Sequence, residues 1–556
     1  HIEEGALQED RGFKQKAKDN IRAIELLRQI ESEDRLATAD EQAILAKYVG
    51  WGGIKGAFPN TDGKFEKGYE DIGAKLQELL PSDMYETARR SIQYAHYTSE
   101  TIVREMWRLA GNLGFNGGTV FEPGMGVGNF AGMMPRDVAS KTQYHGLEFD
   151  HMTARLAKLL YPKWGVQRAD YTNTKMPKDT YDLVIGNPPF ADIPIKSDPE
   201  YAKHGFLLHD YFFAKSLDSV RPGGLLMFVT SAGTMNKMDA KARDYMADRA
   251  DFIGGVRLPG DAFEKNAGTK VTTDILVFKK RAKGEKPGGV KDWTGVEAVT
   301  LPNKNGEQIS GNVSSYFARN PDMVLGEQGF FDPLYENRYG VKADGRDFKA
   351  ALSKAMDKLG GIVMDDAPTS QEKSEIDFTT AEAKEGSFYL DKAGRLMQKR
   401  DGVGHPVKER GKGVEGGYSS EQRERIRKLI PIRDSLRAVY AADLKDDAAG
   451  AAKARKELNA AYDAFVAEYG PINLAKFQYR RPSAVQAEAA RNEAREEARE
   501  RGAFFDEGSF NPIDLIEREA PASEIARQRA EFKAQMEKEG KTYSDGDFNP
   551  EEMADI

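Results

Sequence analysis

The sequence predicts an α/β fold built on a doubly wound, mostly parallel sheet with helical flanks. Two observations carry this expectation. Between residues 91 and 282, short runs rich in β-branched and aromatic residues alternate with segments of helical periodicity, the pattern of strand–crossover–strand units. The first run, Thr119-Val120-Phe121-Glu122, passes directly into Pro123-Gly124-Met125-Gly126-Val127-Gly128, a glycine-rich turn of the kind that joins a strand to a helix.

Taken in order, residues 1–90 read as helical, with apolar residues at helical spacing in Ala17–Glu33 and Thr38–Tyr48. The glycines of Tyr48-Val49-Gly50-Trp51-Gly52-Gly53 break the second helix, and Trp51 is expected to anchor this loop in a core. A helix over Glu100–Leu109 opens the next segment, with Thr98 or Ser99 placed to act as its N-cap. Strands then follow at Thr119–Glu122, Tyr144–Glu148, Val166–Ala169, Asp182–Gly186, Gly224–Val229, Phe252–Leu258 and Thr272–Phe278. Helices are predicted over Met152–Leu160 and Leu208–Ser219. The basic, polar Lys279–Pro287 marks the end of this domain. Residues 283–418 mix strand-like runs with glycine-rich loops and imply no particular fold; a target-recognition role is open to them. Residues 419–502 read as a helical hairpin, with apolar positions at Ile426, Leu429, Leu436, Val439, Leu458, Tyr462 and Phe465, followed by a solvated Ala/Glu/Arg helix. Residues 503–556 read as an acidic, flexible tail.

Composition narrows the function. The chain has 556 residues, enough for several domains and at least one large core. The absence of cysteine excludes disulfides, cysteine metal sites and cysteine nucleophiles, and fits the cytoplasm. No metal site is expected. No apolar run approaches a membrane span, and no secretory signal is visible. The first residue is His1 rather than methionine, which suggests a piece of a longer chain. The net charge of −8 means that a nucleic-acid partner would need a local basic groove. Lys279–Lys286 and Arg480-Arg481 are candidates for phosphate contact, although a solvated charge run is the simpler reading of each.

Chemistry gathers at four successive strand ends. The first delivers Glu122 and the glycines Gly124, Gly126 and Gly128. The second ends in Glu148-Phe149, where a carboxylate can accept hydrogen bonds from ribose hydroxyls. The third is followed by Asp170-Tyr171, an acceptor for an adenine amino group beside a ring that could stack. The fourth ends in Asn187-Pro188-Pro189-Phe190. Each carboxylate alone is more often a cap or turn residue, and the glycine loop alone is a weak signal. It is the joint order that points to one ligand edge.

These motifs resemble class I, S-adenosylmethionine-dependent methyltransferases, and among them the amino-methylating DNA adenine enzymes. The resemblance matches Glu122–Gly128 to the cofactor loop, Glu148 to the ribose-binding acid, Asp170 and Tyr171 to the adenine contacts, and Asn187–Phe190 to the catalytic tetrapeptide. Tyr94-Ala95-His96-Tyr97-Thr98-Ser99 is similar to a segment that contacts the cofactor's methionine end in the gamma order of these enzymes, with Ser99 where proline is usual. Tyr97 and Thr98 therefore join the expected cofactor set. The implied partner is DNA, with adenine extruded into the site. Looser likenesses, in Tyr48–Phe58, Ile432–Asp434 and Tyr469–Asn473, are to large phage and plasmid methylase–helicase proteins, some of which act in defence or in protecting phage DNA. They raise a helicase or another phage- or plasmid-encoded protein as partner. Alternatives are an RNA or protein-glutamine methyltransferase, or an inactive DNA-binding protective or scaffold protein.

Overall fold

The computed structural model describes residues 1–92, 97–263, 271–331, 338–366, most of 383–410, 417–444, 447–470 and 472. The chain divides into two compact units, residues 1–423 and 424–556.

In the first unit, α1 (Phe13–Ser32), α2 (Ala39–Leu45), α3 (Glu70–Leu79) and α4 (Ser82–Ser91) precede α5 (Glu100–Asn112). The sheet alternates with helices in the expected sequence: β1 (Gly118–Pro123), α6 (Asn129–Met133), α7 (Arg136–Ala139), β2 (Thr142–Glu148), α8 (His151–Leu160), β3 (Gly165–Arg168), β4 (Tyr181–Gly186), α9 (Leu208–Ser219) and β5 (Val220–Ser231). The run closes with α10 (Gly233–Asn236), α11 (Lys241–Ala247), β6 (Ala250–Leu258) and β7 (Thr273–Lys280).

The seven strands lie in the order β3-β2-β1-β4-β5-β7-β6. β1 to β5 run parallel, with Val120 beside Leu183 and Val184 beside Leu226, and β7 inserts antiparallel between β5 and β6. This is the class I methyltransferase sheet. Helices cover both faces, so β4 is buried throughout, and Leu183-Val184-Ile185 run continuously apolar rather than alternating. The chain reverses direction across the sheet between β1 and β4, which opens a crevice at their carboxyl ends.

The N-terminal helices share the sheet's core. Ile24, Leu27, Trp51 and Leu76 belong to the same apolar cluster as Phe121, Val184 and Phe228, and the cluster runs on past β7 through Trp293, Phe317 and Leu352. Residues 296–314 form an antiparallel hairpin, and Phe388–Leu390, Leu396–Arg400 and Val403–Pro406 a small three-stranded sheet. In the second unit, the helix Ala448–Tyr469 buries Ala451, Ala454 and Phe465. No helix among the described residues is long and apolar enough to cross a membrane.

Two expectations change. Ser99 occupies the N-cap position of α5, but its side chain makes no capping bond. Glu9 reaches over instead, and its Oε1 accepts from the Glu100 N–H at 2.9 Å. A carboxylate suits the positive end of the helix better than a hydroxyl. Lys279 and Lys280 are not a phosphate-binding surface. They belong to β7, are largely buried, and are ion-paired to Asp365 and Asp179, each at 2.7 Å. Arg480-Arg481, Asn473, the helix over 483–502 and the tail lie outside the described residues.

Candidate functional site

The site is assembled from strand ends, beginning with β1. Glu122 is buried there, and its Oε2 accepts from the Tyr144 hydroxyl at 2.5 Å. Burial pushes the Glu122 carboxyl well above the usual range, which the Tyr144 bond only partly opposes. The loop that follows places Gly124, Gly126 and Gly128 at φ 68°, 58° and 84°, a region that side chains rarely adopt. Close approach also demands glycine here. A Cβ on Gly126 would stand 3.3 Å from the Tyr97 ring, and one on Gly128 would stand 2.5 Å from the Tyr161 ring.

At the end of β2, Glu148 is tied to this loop. Its Oε2 accepts from the Gly126 N–H at 2.8 Å and its Oε1 from the Asp150 N–H at 2.8 Å. Burial nevertheless pushes its pKa up to about 7, with the nearby Asp150 charge adding to the rise. Asp150 caps α8, accepting from the Thr153 N–H at 2.7 Å and the Thr153 hydroxyl at 2.6 Å. Phe149 is 65% exposed.

Beyond β3, Asp170 holds its own turn. Its Oδ1 accepts from the Thr172 N–H and hydroxyl, both at 2.8 Å, and its Oδ2 from Asn173 Nδ2 at 2.7 Å. Tyr171 is buried, with its hydroxyl 3.0 Å from Ser216 Oγ and its ring packed on Phe212 at 4.7 Å between centroids. At the end of β4 the Asn187 side-chain oxygen is shielded from solvent. Pro189 faces the glycine loop, its Cδ lying 3.6 Å from where a Cβ on Gly124 would be.

A cavity of about 770 Å³ joins these groups, within the range of small-molecule and cofactor sites. Tyr97, Thr98, Glu122, Gly124, Gly126, Glu148, Phe149, Asp170, Tyr171, Asn187 and Pro189 all border it. Pro188, Phe190 and Gly128 stand outside its lining, and Phe190 packs half-buried against the core. Tyr94, Ala95 and His96 lie outside the described residues.

Sequence reasoning missed a second wall. Tyr48, Gly50 and Trp51, together with the α4 face Met84, Thr87, Ala88 and Ser91, border the same cavity. The glycine-broken Tyr48–Gly53 loop was a visible signal. Its destination was not, because nothing local links it to strand ends about a hundred residues away.

Known proteins share parts of this chain. Residues 140–261 match the Eco57I restriction-modification methylase family. This span runs from β2 through β6 and so contains Glu148, Asp170 and Asn187–Phe190. The chain is also 26% identical over 266 residues to the defense against restriction protein B of Escherichia phage P1. That match takes in 47% of this chain but only 10% of the phage protein. Among solved structures, it is similar to the type I restriction-modification system methyltransferase subunit from Streptococcus thermophilus, at 20% identity over 38% of this chain and 54% of that one, with a TM-score of 0.29. The EcoKI M protein is 13% identical over 61% of this chain and 86% of its own, with a TM-score of 0.26.

Proposed function

We propose that this chain transfers a methyl group from S-adenosylmethionine to the N6 amino group of an adenine extruded from DNA. One observation carries the reading: Asn187 and Pro189 border the same cavity as Gly124, Gly126 and Glu148. A cofactor-shaped space and an amine-accepting tetrapeptide thus meet at the crevice between β1 and β4. The match of residues 140–261 to a restriction-modification methylase family supports DNA as the substrate.

The residues present fit the cofactor. Positive-φ glycines let the backbone approach it, Glu148 is placed for the ribose hydroxyls, and the protonation of Glu148 decides how well it accepts them. Asp170 keeps one lone pair, on Oδ2, beyond the three used in its turn and borders the cavity, which suits an adenine amino group. Tyr97 and Thr98 border the cavity, Tyr97 beside Gly126, and the resemblance assigns them to the methionine end. When bound, the cofactor supplies an electrophilic sulfonium methyl group.

The protein's task is to free the lone pair of the target nitrogen, which is delocalised into the adenine ring. The Asn187 side-chain oxygen accepts one N–H of the amino group and the Pro188 carbonyl accepts the other. Two acceptors set off the base plane favour a tetrahedral nitrogen, and the prolines hold them rigidly. Phe190 stacks on the extruded base. Extrusion itself costs about a few kcal/mol. Likeness to a phage protein named for defense against restriction favours a role in protecting phage DNA.

Tritiated methyl transfer to DNA, RNA and protein substrates tests this. Label is expected in DNA adenine, and Asn187→Ala should abolish it while binding of S-adenosylhomocysteine persists. Transfer by Asn187→Ala, or label in RNA or protein alone, would sink the proposal.

A further inference from the structure

The Tyr48–Gly53 loop is held with unusual care. Asn20 of α1 is fully buried and grips the loop with both ends of its amide: Nδ2 donates to the Gly50 carbonyl at 2.5 Å, and Oδ1 accepts from the Val49 N–H at 2.9 Å. Arg11 Nη2 adds a bond to the Lys47 carbonyl at 2.8 Å. Gly50 and Gly53, at φ 64° and 72°, turn the chain back on itself. A buried amide bonded at both ends favours one loop conformation, which apolar filling alone would not.

That conformation delivers two side chains to the cavity. Tyr48 and Trp51 both border it beside Glu148, Asp150 and Thr153, and Tyr48 is buried. Tyr97 borders the same cavity. Met84, Thr87, Ala88 and Ser91 of α4, four positions at helical spacing on one face, border the same cavity.

We propose that the Tyr48–Trp51 loop and the α4 face form the outer wall of the S-adenosylmethionine site, with Tyr48 and Trp51 as binding residues and Asn20 as the positioning residue. The inference rests on the reading that this cavity holds the cofactor. Tyr48 and Trp51 border the cavity together with Glu148, the acid read as the ribose contact, so the wall is assigned to the nucleoside half. The N-terminal helices are then part of the cofactor site rather than an appendage to it.

Calorimetry on the full chain tests this, with S-adenosylhomocysteine and 5′-methylthioadenosine as probes; the second lacks the amino-acid end. Tyr48→Phe keeps the ring and removes one hydroxyl. It should weaken both probes by the same factor, about threefold to tenfold, the worth of one net hydrogen bond. Thr87→Trp, at an exposed position on the cavity rim, should exclude both probes without unfolding the protein. If wild type binds and both variants bind equally well, the wall is refuted. If Tyr48→Phe weakens only S-adenosylhomocysteine, the assignment to the nucleoside half is refuted. A wild-type protein that binds neither probe overturns the cofactor reading beneath it.

Discussion

Under the proposed function, Glu148 makes cofactor affinity a function of pH. Its pKa is pushed up to about 7 by burial, against backbone N–H groups of Gly126 and Asp150 that favour the charged form. Ribose hydroxyls donate, so they bind the ionised carboxylate better than the neutral acid. Below pH 7 the ligand must first drive off a proton, and affinity falls up to tenfold per pH unit until the pKa of the bound state is reached. Between pH 8 and pH 5 the loss should approach roughly a hundredfold, or about 2.7 kcal/mol. In the unliganded protein the sign is opposite. The folded state holds a proton that the unfolded chain releases, so this group lowers stability as pH rises from 4.5 towards about 7. Calorimetric titration of S-adenosylhomocysteine across this range measures the first effect, with Glu148→Gln as control. The variant should bind weakly and lose the slope. A slope that survives in Glu148→Gln would assign the proton to another group and refute the argument.

Three further outcomes follow from the geometry. Phe190→Ala should reduce methyl transfer less severely than Asn187→Ala and leave S-adenosylhomocysteine affinity unchanged, because Phe190 stands outside the cavity lining; a loss of cofactor affinity without loss of turnover would contradict its assignment to the base. Gly128→Ala forces a side chain into φ 84° and to within 2.5 Å of the Tyr161 ring, and should cost about 2–5 kcal/mol in urea denaturation from the left-handed strain and overpacking together. Arg221→Met removes the buried cationic partner of Asp182, held at 2.5 Å, and leaves a buried carboxylate without that charge; a destabilisation of about 3–5 kcal/mol is expected, and a change below about 1 kcal/mol would show that the pair does not matter.

Much of the sheet was legible because its determinants are local. Alternating periodicity located all seven strands of β1 to β7, and the glycine turn after Glu122 marked the end of β1. Errors fell at edges. β5 begins at Val220, four residues before the predicted Gly224, because Val220 pairs with Tyr181 of β4, which no pattern within β5 records. The expected ligand residues converge because they follow successive strands of one sheet, and parallel strand ends share an edge.

What the sequence determined by itself was therefore the class of the fold and the chemical character of one edge: glycines, carboxylates, then an amide between a strand and two prolines. The tertiary structure alone decided which of these groups are occupied elsewhere and what encloses them. It turned Asp170 into the anchor of its own turn, packed the Tyr171 ring into the core, replaced Ser99 by Glu9 at the start of α5, and brought Tyr48, Trp51 and α4 over the cavity. The division has a physical cause. Strand and turn preferences act over a few residues, whereas burial and hydrogen-bond partners depend on contacts between segments far apart in the chain, as when Asn20 sets the loop that borders the cavity.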